Sequence, residues 1–299
     1  MKRFIQTLLG ALGYRLQRIP EHSQPTAVRE RLSLEDSGSH LVEYTTLIPA
    51  QDNSLRLFSG EWSSALPGKR EPGLAPLFDD ARMAWLIKQL PDGVRDLRVL
   101  ELGPLEGGHT FMLEQAGAQV CAIEANYHAF LRCLIIKNYF NLRAQFLLGD
   151  FAKDLGPGQP YDVIVASGVL YHMAKPVELL QSIAKACDTV FIWTHYFEPD
   201  INKWHPNVRE RIGHKWDTQR LKTIMQDDLA IRMVPQYYDD ALGWAGFCGG
   251  PEHFSLWIYR EDLLALIERL GFSKIQIEFD HPNHPNGPSF CILAQRPKG

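Results

Sequence analysis

Three carboxylates close three successive apolar runs in the middle of this chain. Glu101 lies within Val99-Leu100-Glu101-Leu102, Glu124 ends the run from Gln119, and Asp150 follows Gln145-Phe146-Leu147-Leu148-Gly149. Gly103, Gly107 and Gly108 stand between the first two. An apolar strand opening into a glycine turn, with an acid about 20 residues further on, is an arrangement that holds a nucleoside. Glycine lets backbone approach the ligand, and the acid accepts hydrogen bonds from ribose hydroxyls. Two histidines, His172 and His195, follow later apolar runs, each with a tyrosine beside it, Tyr171 and Tyr196. Imidazole titrates near neutrality, so either histidine is a candidate to take a proton from an attacking hydroxyl.

The glycine turn departs from the dinucleotide fingerprint G-x-G-x-x-G, which seats a diphosphate on the next helix N-terminus. Leu105 replaces the middle glycine, Pro104 stiffens the turn, and Glu106 stands where a diphosphate would approach. These features disfavour a nicotinamide dinucleotide and suit a cationic ligand without phosphates. Glu101 points the same way, because a carboxylate inside an apolar strand is costly without a partner. Its alternative is an ion pair or hydrogen bond within the protein.

Val99 to Gly108 resembles the first motif of class I S-adenosylmethionine-dependent methyltransferases: an apolar strand, an acid and a glycine loop. Tyr161 to Gly168 resembles the fourth strand of that family, and Val169-Leu170-Tyr171-His172 the segment lining the methyl-donor pocket. The likeness runs from about Leu97 to His195 and returns near the C-terminus. It implies S-adenosyl-L-methionine as cofactor, with Glu101, Gly103, Gly107, Glu124, Ala125, Asp150, Phe151 and Ser167 at the donor site. Glu124 would grip both ribose hydroxyls, and Asp150 would accept from the adenine amino group with Phe151 beside the ring. Leu-Gly-Pro-Leu-Glu-Gly-Gly-His-Thr, Gly-Val-Leu-Tyr-His and Trp-Thr-His-Tyr together resemble a bacterial subgroup of these enzymes. That subgroup implies a small-molecule acceptor from polysaccharide or secondary metabolism, with O-methylation of a sugar favoured. Gly60-Glu61-Trp62 and Gly168 to His172 are also similar to enzymes that transfer carboxymethyl to tRNA wobble uridine, which places Trp62 at the donor site. That group carries an arginine before its last strand; here the position falls in Gly287-Pro288-Ser289-Phe290, with no basic residue. Nucleic acid is therefore the second reading, and a nucleoside-binding protein without catalysis the third.

For catalysis the candidates are His172, His195 and Tyr171; the alternative is that each histidine bonds a loop carbonyl and holds its turn. His109 is expected to cap the next helix or line the carboxylate end of the donor. His281, His284 and Cys291 read as punctuation of a Pro/Asn turn, so no metal is expected. Trp204, Trp244 and Trp257 form either a wall of the acceptor pocket or the core of an insertion.

The elements that must position these residues read as alternating strands and helices, hence α/β. Strands are expected at 99–102, 119–124, 145–149, 162–166 and 189–194, and helices at 80–90, 110–116, 127–139 and 176–186. A helix at 260–270 and two strands, 274–279 and 290–294, follow. The fold class is a Rossmann-like, seven-stranded, mostly parallel sheet with a C-terminal antiparallel hairpin, an N-terminal extension and a helical, aromatic insertion at about 197–255. The boundary is expected near residue 60, with 1–60 as extension and 61–299 as methyltransferase domain. Strand-like patches also occur around Tyr44 to Ile48.

Phe4, Ile5, Leu8, Leu9, Leu12 and Leu16 form a helical stripe flanked by Lys2, Arg3, Arg15 and Arg18. It is too short to span a bilayer and suits either a membrane surface or a protein partner. A net charge of -4 argues against wholesale phosphate-backbone binding. Five dispersed cysteines without C-x-x-C spacing read as reduced thiols, hence a cytoplasmic location with membrane-surface contact as the variant.

Overall fold

The computed structural model describes residues 44–68, 73–200, 203–212, 216–244 and 246–297. The amphipathic stripe at 4–16 lies outside the described residues. Among those described, no helix is long and apolar enough to cross a membrane.

The strands β1 (Arg98–Leu102), β2 (Gln119–Glu124), β3 (Gln145–Leu148), β4 (Val163–Ser167) and β5 (Thr189–His195) lie parallel. Helices α1 (Ala81–Gln89), α2 (Gly108–Gln115), α3 (Tyr127–Phe140) and α4 (Pro176–Ala186) alternate with them. Each strand is short and nearly continuous in apolar residues because both faces of the sheet are covered. Val99, Val163, Val165 and Phe191 pack with Met83 and Leu113 on one face. Leu100, Ile164 and Ile192 pack with Leu180 and Leu266 on the other, as the period of two in a strand requires. Asp80 starts α1 by accepting from the Arg82 amide at 2.8 Å, and Asn126 caps α3 by accepting from Ala129 at 2.9 Å.

The helix α6 (Arg260–Arg269) leads into β9 (Lys274–His281) and β10 (Ser289–Gln295). The sheet order is β3-β2-β1-β4-β5-β10-β9, with β10 antiparallel to both its neighbours. This is the seven-stranded Rossmann-like sheet expected from the sequence. The order reverses beside β1, so the carboxyl ends of β1, β2 and β4 frame the crevice where open α/β sheets hold ligands.

Two expectations fail. Among its described residues the insertion after β5 holds one short α-helix, α5 (Pro206–Ile212), two 3-10 turns, and a three-stranded antiparallel sheet, β6 (Lys222–Gln226), β7 (Leu229–Tyr237) and β8 (Phe254–Ile258). Ile231 and Met233 are buried with Arg232 between them, an alternation that makes a strand. The aromatic part of that expectation holds: Phe197, Trp204, Trp216 and Trp257 share one buried cluster. Tyr44 to Ile48 forms no strand among the described residues, and Tyr44 and Ile48 are exposed. Gln51–Phe58 is a 3-10 helix held on α3, where the Tyr139 carbonyl accepts from Gln51 Nε2 at 2.9 Å and the Tyr139 hydroxyl donates to Asp52 at 2.8 Å.

Candidate functional site

Because β1 to β4 run parallel, Gly103, Glu124, Asp150 and Ser167 all fall at one edge of the sheet. The turn after β1 takes left-handed backbone at Gly103 (φ 63°), Leu105 (φ 56°) and Gly107 (φ 75°). Leu105 thus adopts the conformation the missing glycine would have supplied, at a steric cost of about 1–2 kcal/mol. Its amide donates to Glu124 Oε2 at 3.1 Å, and the Asn126 amide to Oε1 at 2.8 Å. Glu124 is therefore a fixed, nearly buried carboxylate; burial pushes its acid up, against those backbone hydrogen bonds. Asp150 is partly exposed and accepts from the Ala152 amide at 3.0 Å. Phe151 packs against the core, Ala125 is exposed, and Ser167 ends β4. Carboxylates at adjacent strand ends, with Glu124 held by backbone amides and, among the described residues, bonded to no basic side chain, fit a ligand that carries ribose hydroxyls and positive charge.

Glu101 is buried inside β1, and burial pushes its acid up, opposed by the His109 charge and a hydrogen bond from Thr110. Thr110 Oγ1 donates to Oε2, while His109 Nδ1 lies 3.8 Å from Oε1. His109 Nε2 is 2.9 Å from Asp80 Oδ2. Asp80 in turn holds Arg82 through Nε at 2.9 Å and Nη2 at 2.5 Å. Burial pushes the Asp80 acid up, but the hydrogen bonds and charges of His109 and Arg82 outweigh it and hold it well below the usual carboxylate range. The Arg82 guanidinium finishes 4.3 Å from the Trp193 ring centroid. His109, expected as a cap or donor contact, instead links Glu101 to the start of α1.

Two residues expected at the ligand lie elsewhere. Glu106 is wholly buried and accepts from the Ser63 and Ser64 amides, both at 2.8 Å, with Arg132 Nε at 3.4 Å. It holds the segment ahead of α1 onto the loop, so a diphosphate approaching this turn would meet no exposed carboxylate at Glu106. Trp62 packs with Leu66, Phe78, Ile136 and Leu142, and its indole N–H is spent on the Leu55 carbonyl at 2.8 Å. Its contacts are those of a core residue.

The candidate catalytic residues do come together. Tyr171 stands between the two imidazoles, with ring centroids 4.1 Å from His172 and 4.5 Å from His195. His172 Nδ1 is 3.0 Å from the Tyr238 hydroxyl, which donates to the Gly249 carbonyl. His195 Nδ1 is 2.8 Å from the Gly287 carbonyl, and its ring stacks on Trp257 at 5.2 Å and 9°. Burial brings the His172 imidazolium down to about 3, assisted by the charge of His195. Burial brings His195 to about 4, opposed by the Gly287 hydrogen bond and assisted by His284 and Arg82. Both rings are neutral at physiological pH. Burial also raises the Tyr171 phenol far above its ordinary value, so it remains protonated.

The sequence reading missed Arg82, Asp80, Trp193, Tyr238 and Gly287, which reach this edge from separate parts of the chain. His284, read as turn punctuation, lies 5.4 Å from the His195 ring. Trp257 and Trp204 are buried in the insertion cluster, while Trp244 is exposed. Asn126 Nδ2 donates to the Phe247 carbonyl at 3.3 Å, so the Gly246–Gly250 turn ties the Glu124 end of the site to Tyr238 and His172.

No curated protein matches the chain in sequence. In fold it is similar to the N-terminal domain of EvdMO1, solved with SAH and D-fucose and also with SAH alone. Both structures are 19% identical to it, cover 83% of this chain and 95% of their own, and superpose with a TM-score of 0.58. The family described as "Methyltransferase domain" matches residues 76–277. The chain belongs to that family and is an S-adenosyl-L-methionine-dependent methyltransferase.

Proposed function

We propose that this enzyme methylates a hydroxyl of a small, sugar-like acceptor. The observation that carries the reading is the aromatic and imidazole cluster of Tyr171, His172, Trp193, His195 and Trp257 at the ends of β4 and β5, beside the donor edge. Flat rings with intervening nitrogen and hydroxyl groups suit a polyhydroxylated ring, whose C–H faces stack while its hydroxyls find acceptors. The similarity in fold to a domain solved with D-fucose is consistent with such an acceptor. In this reading Glu124 accepts from the ribose hydroxyls, Asp150 from the adenine, and Glu101 faces the methionyl ammonium. Gly103, Gly107, Ala125, Phe151 and Ser167 shape the same surface.

When bound, S-adenosyl-L-methionine supplies an electrophilic methyl group on a cationic sulfur. The protein aligns the acceptor oxygen with that group, excludes water and receives the hydroxyl proton on a neutral imidazole of His172 or His195. Incubation with donor labelled in the methyl group and a panel of free sugars, glycosides and tRNA tests the proposal. Label in an O-methyl sugar supports it; label confined to RNA, or to nitrogen acceptors, overturns it.

A further inference from the structure

His195 ends β5, and the turn joining β9 to β10 lies 92 positions away in the chain. Its Nδ1 faces the carbonyls of Gly287 at 2.8 Å and Pro288 at 3.2 Å. A carbonyl oxygen only accepts, so Nδ1 must carry the ring proton and Nε2 keeps its lone pair. The partner of His172 is the Tyr238 hydroxyl, which spends its one proton on the Gly249 carbonyl and so accepts from Nδ1, leaving that ring too with its lone pair on Nε2. Gly287 has φ 121°, a conformation reserved for glycine, and a Cβ there would fall 2.8 Å from Trp257 Cη2 and 3.4 Å from His195 Nδ1. Trp257 covers one face of the imidazole, and the edges of Tyr171, Trp193 and His284 lie around it.

We propose that Gly287 is the positioning residue of the reaction. Its carbonyl fixes the tautomer of His195, and its missing side chain lets His195 and Trp257 stack, so that Nε2 of His195 is the atom that receives the acceptor proton. This rests on the reading of the chain as an O-methyltransferase. As the acceptor oxygen forms its bond to the methyl carbon, the sulfur–methyl bond breaks with its electron pair left on sulfur. The hydroxyl proton passes to Nε2. The backbone carbonyl does the orienting that a carboxylate does in a hydrolase triad, without adding negative charge beside the ring. The titratable and charged groups facing His195 are His284 and Tyr171, His172 beyond Tyr171, and Arg82 from α1.

The test is a 15N–1H correlation spectrum of the histidine-labelled enzyme at pH 7, with the His195 signals assigned among 11 histidines by their loss in His195→Gln. The expected result is a neutral ring protonated on Nδ1. In Gly287→Ala the ring should move toward the Nε2-protonated form preferred by free imidazole side chains, with kcat down at least tenfold and affinity for SAH unchanged. A wild-type ring protonated on Nε2 overturns the positioning role, whether or not Gly287→Ala folds. So does a folded Gly287→Ala enzyme with wild-type tautomer and kcat. A failure of the O-methyltransferase reading shows separately, as His195→Gln transferring label at the wild-type rate while the Nδ1 proton is in place.

Discussion

Replacing His195 by glutamine should flatten the response of stability to mild acid. In the folded chain the imidazole titrates near 4, against an ordinary value of 6.5, because burial disfavours its charged form. The unfolded chain therefore takes up this proton first. Stability is at its full value above about pH 6.5, declines as pH falls through the window from 6.5 to about 4, and loses nothing further below it. Between pH 7 and pH 5 the loss from this one group works out at about 2 kcal/mol, a sizeable part of the 5–15 kcal/mol typical of a folded domain. Glu101 and Glu124 act in the opposite sense, since their acids are raised and folding favours their protonated forms as pH falls. They are common to both proteins, so the difference between wild type and His195→Gln cancels them. Glutamine can still donate to the Gly287 carbonyl. Urea unfolding of both proteins at pH 7 and pH 5 measures the effect. Wild type should lose about 2 kcal/mol more than the variant over that interval. Equal losses would refute the argument that His195 is held neutral by burial.

Glu124→Ala should weaken SAH binding by about 1–3 kcal/mol by calorimetry, the scale of hydrogen bonds to a charged group; unchanged affinity would remove Glu124 from the donor site. His172→Ala should lower turnover while SAH affinity stays at its wild-type value, and full activity across the pH range would clear it of a role in proton transfer. Glu106→Ala should cost about 3–5 kcal/mol in urea unfolding, because it leaves two interior backbone amides without their acceptor and Arg132 with Glu61 as its remaining carboxylate; a loss below 1 kcal/mol would contradict the burial argument. Of the five thiols, Cys248 is the exposed one and should react first with iodoacetamide. Although the residue is exposed, protein packed around its sulfur and the charge of Glu124 raise its pKa, so its rate should still be climbing above pH 9.

The edge proposed to hold the donor is legible in the sequence because its parts are local. An apolar run, a glycine turn and an acid at the next strand end place Gly103, Gly107 and Glu124 within about 20 residues. The strands followed from the same runs, since a parallel strand buried on both faces writes itself as continuous apolar sequence. The proposed catalytic edge is half legible: the sequence places His172 and His195 at strand ends, but not their partners. Tyr238 comes from the insertion, and Gly287 from a turn that read only as a break in the chain. No spacing rule joins residues 92 positions apart. Glu106 misled for a different reason. A charged residue in a glycine loop suggests a ligand contact, yet its partners are amides of Ser63 and Ser64, which carry no side-chain signal. The insertion was misjudged because its aromatics and glycines hid the alternation of β7.

The matched family region starts at residue 76, but the glycine loop after β1 is anchored further upstream. Two amides at 63 and 64 hold the acid in its middle, and β10, beyond the downstream limit at 277, completes the pairing of β5. A chain trimmed to residues 76–277 would therefore lose both the brace of this glycine loop and the strand beside His195. The contacts that brace these strands and this loop thus run from Ser63 to Gln295, past both limits of the matched region.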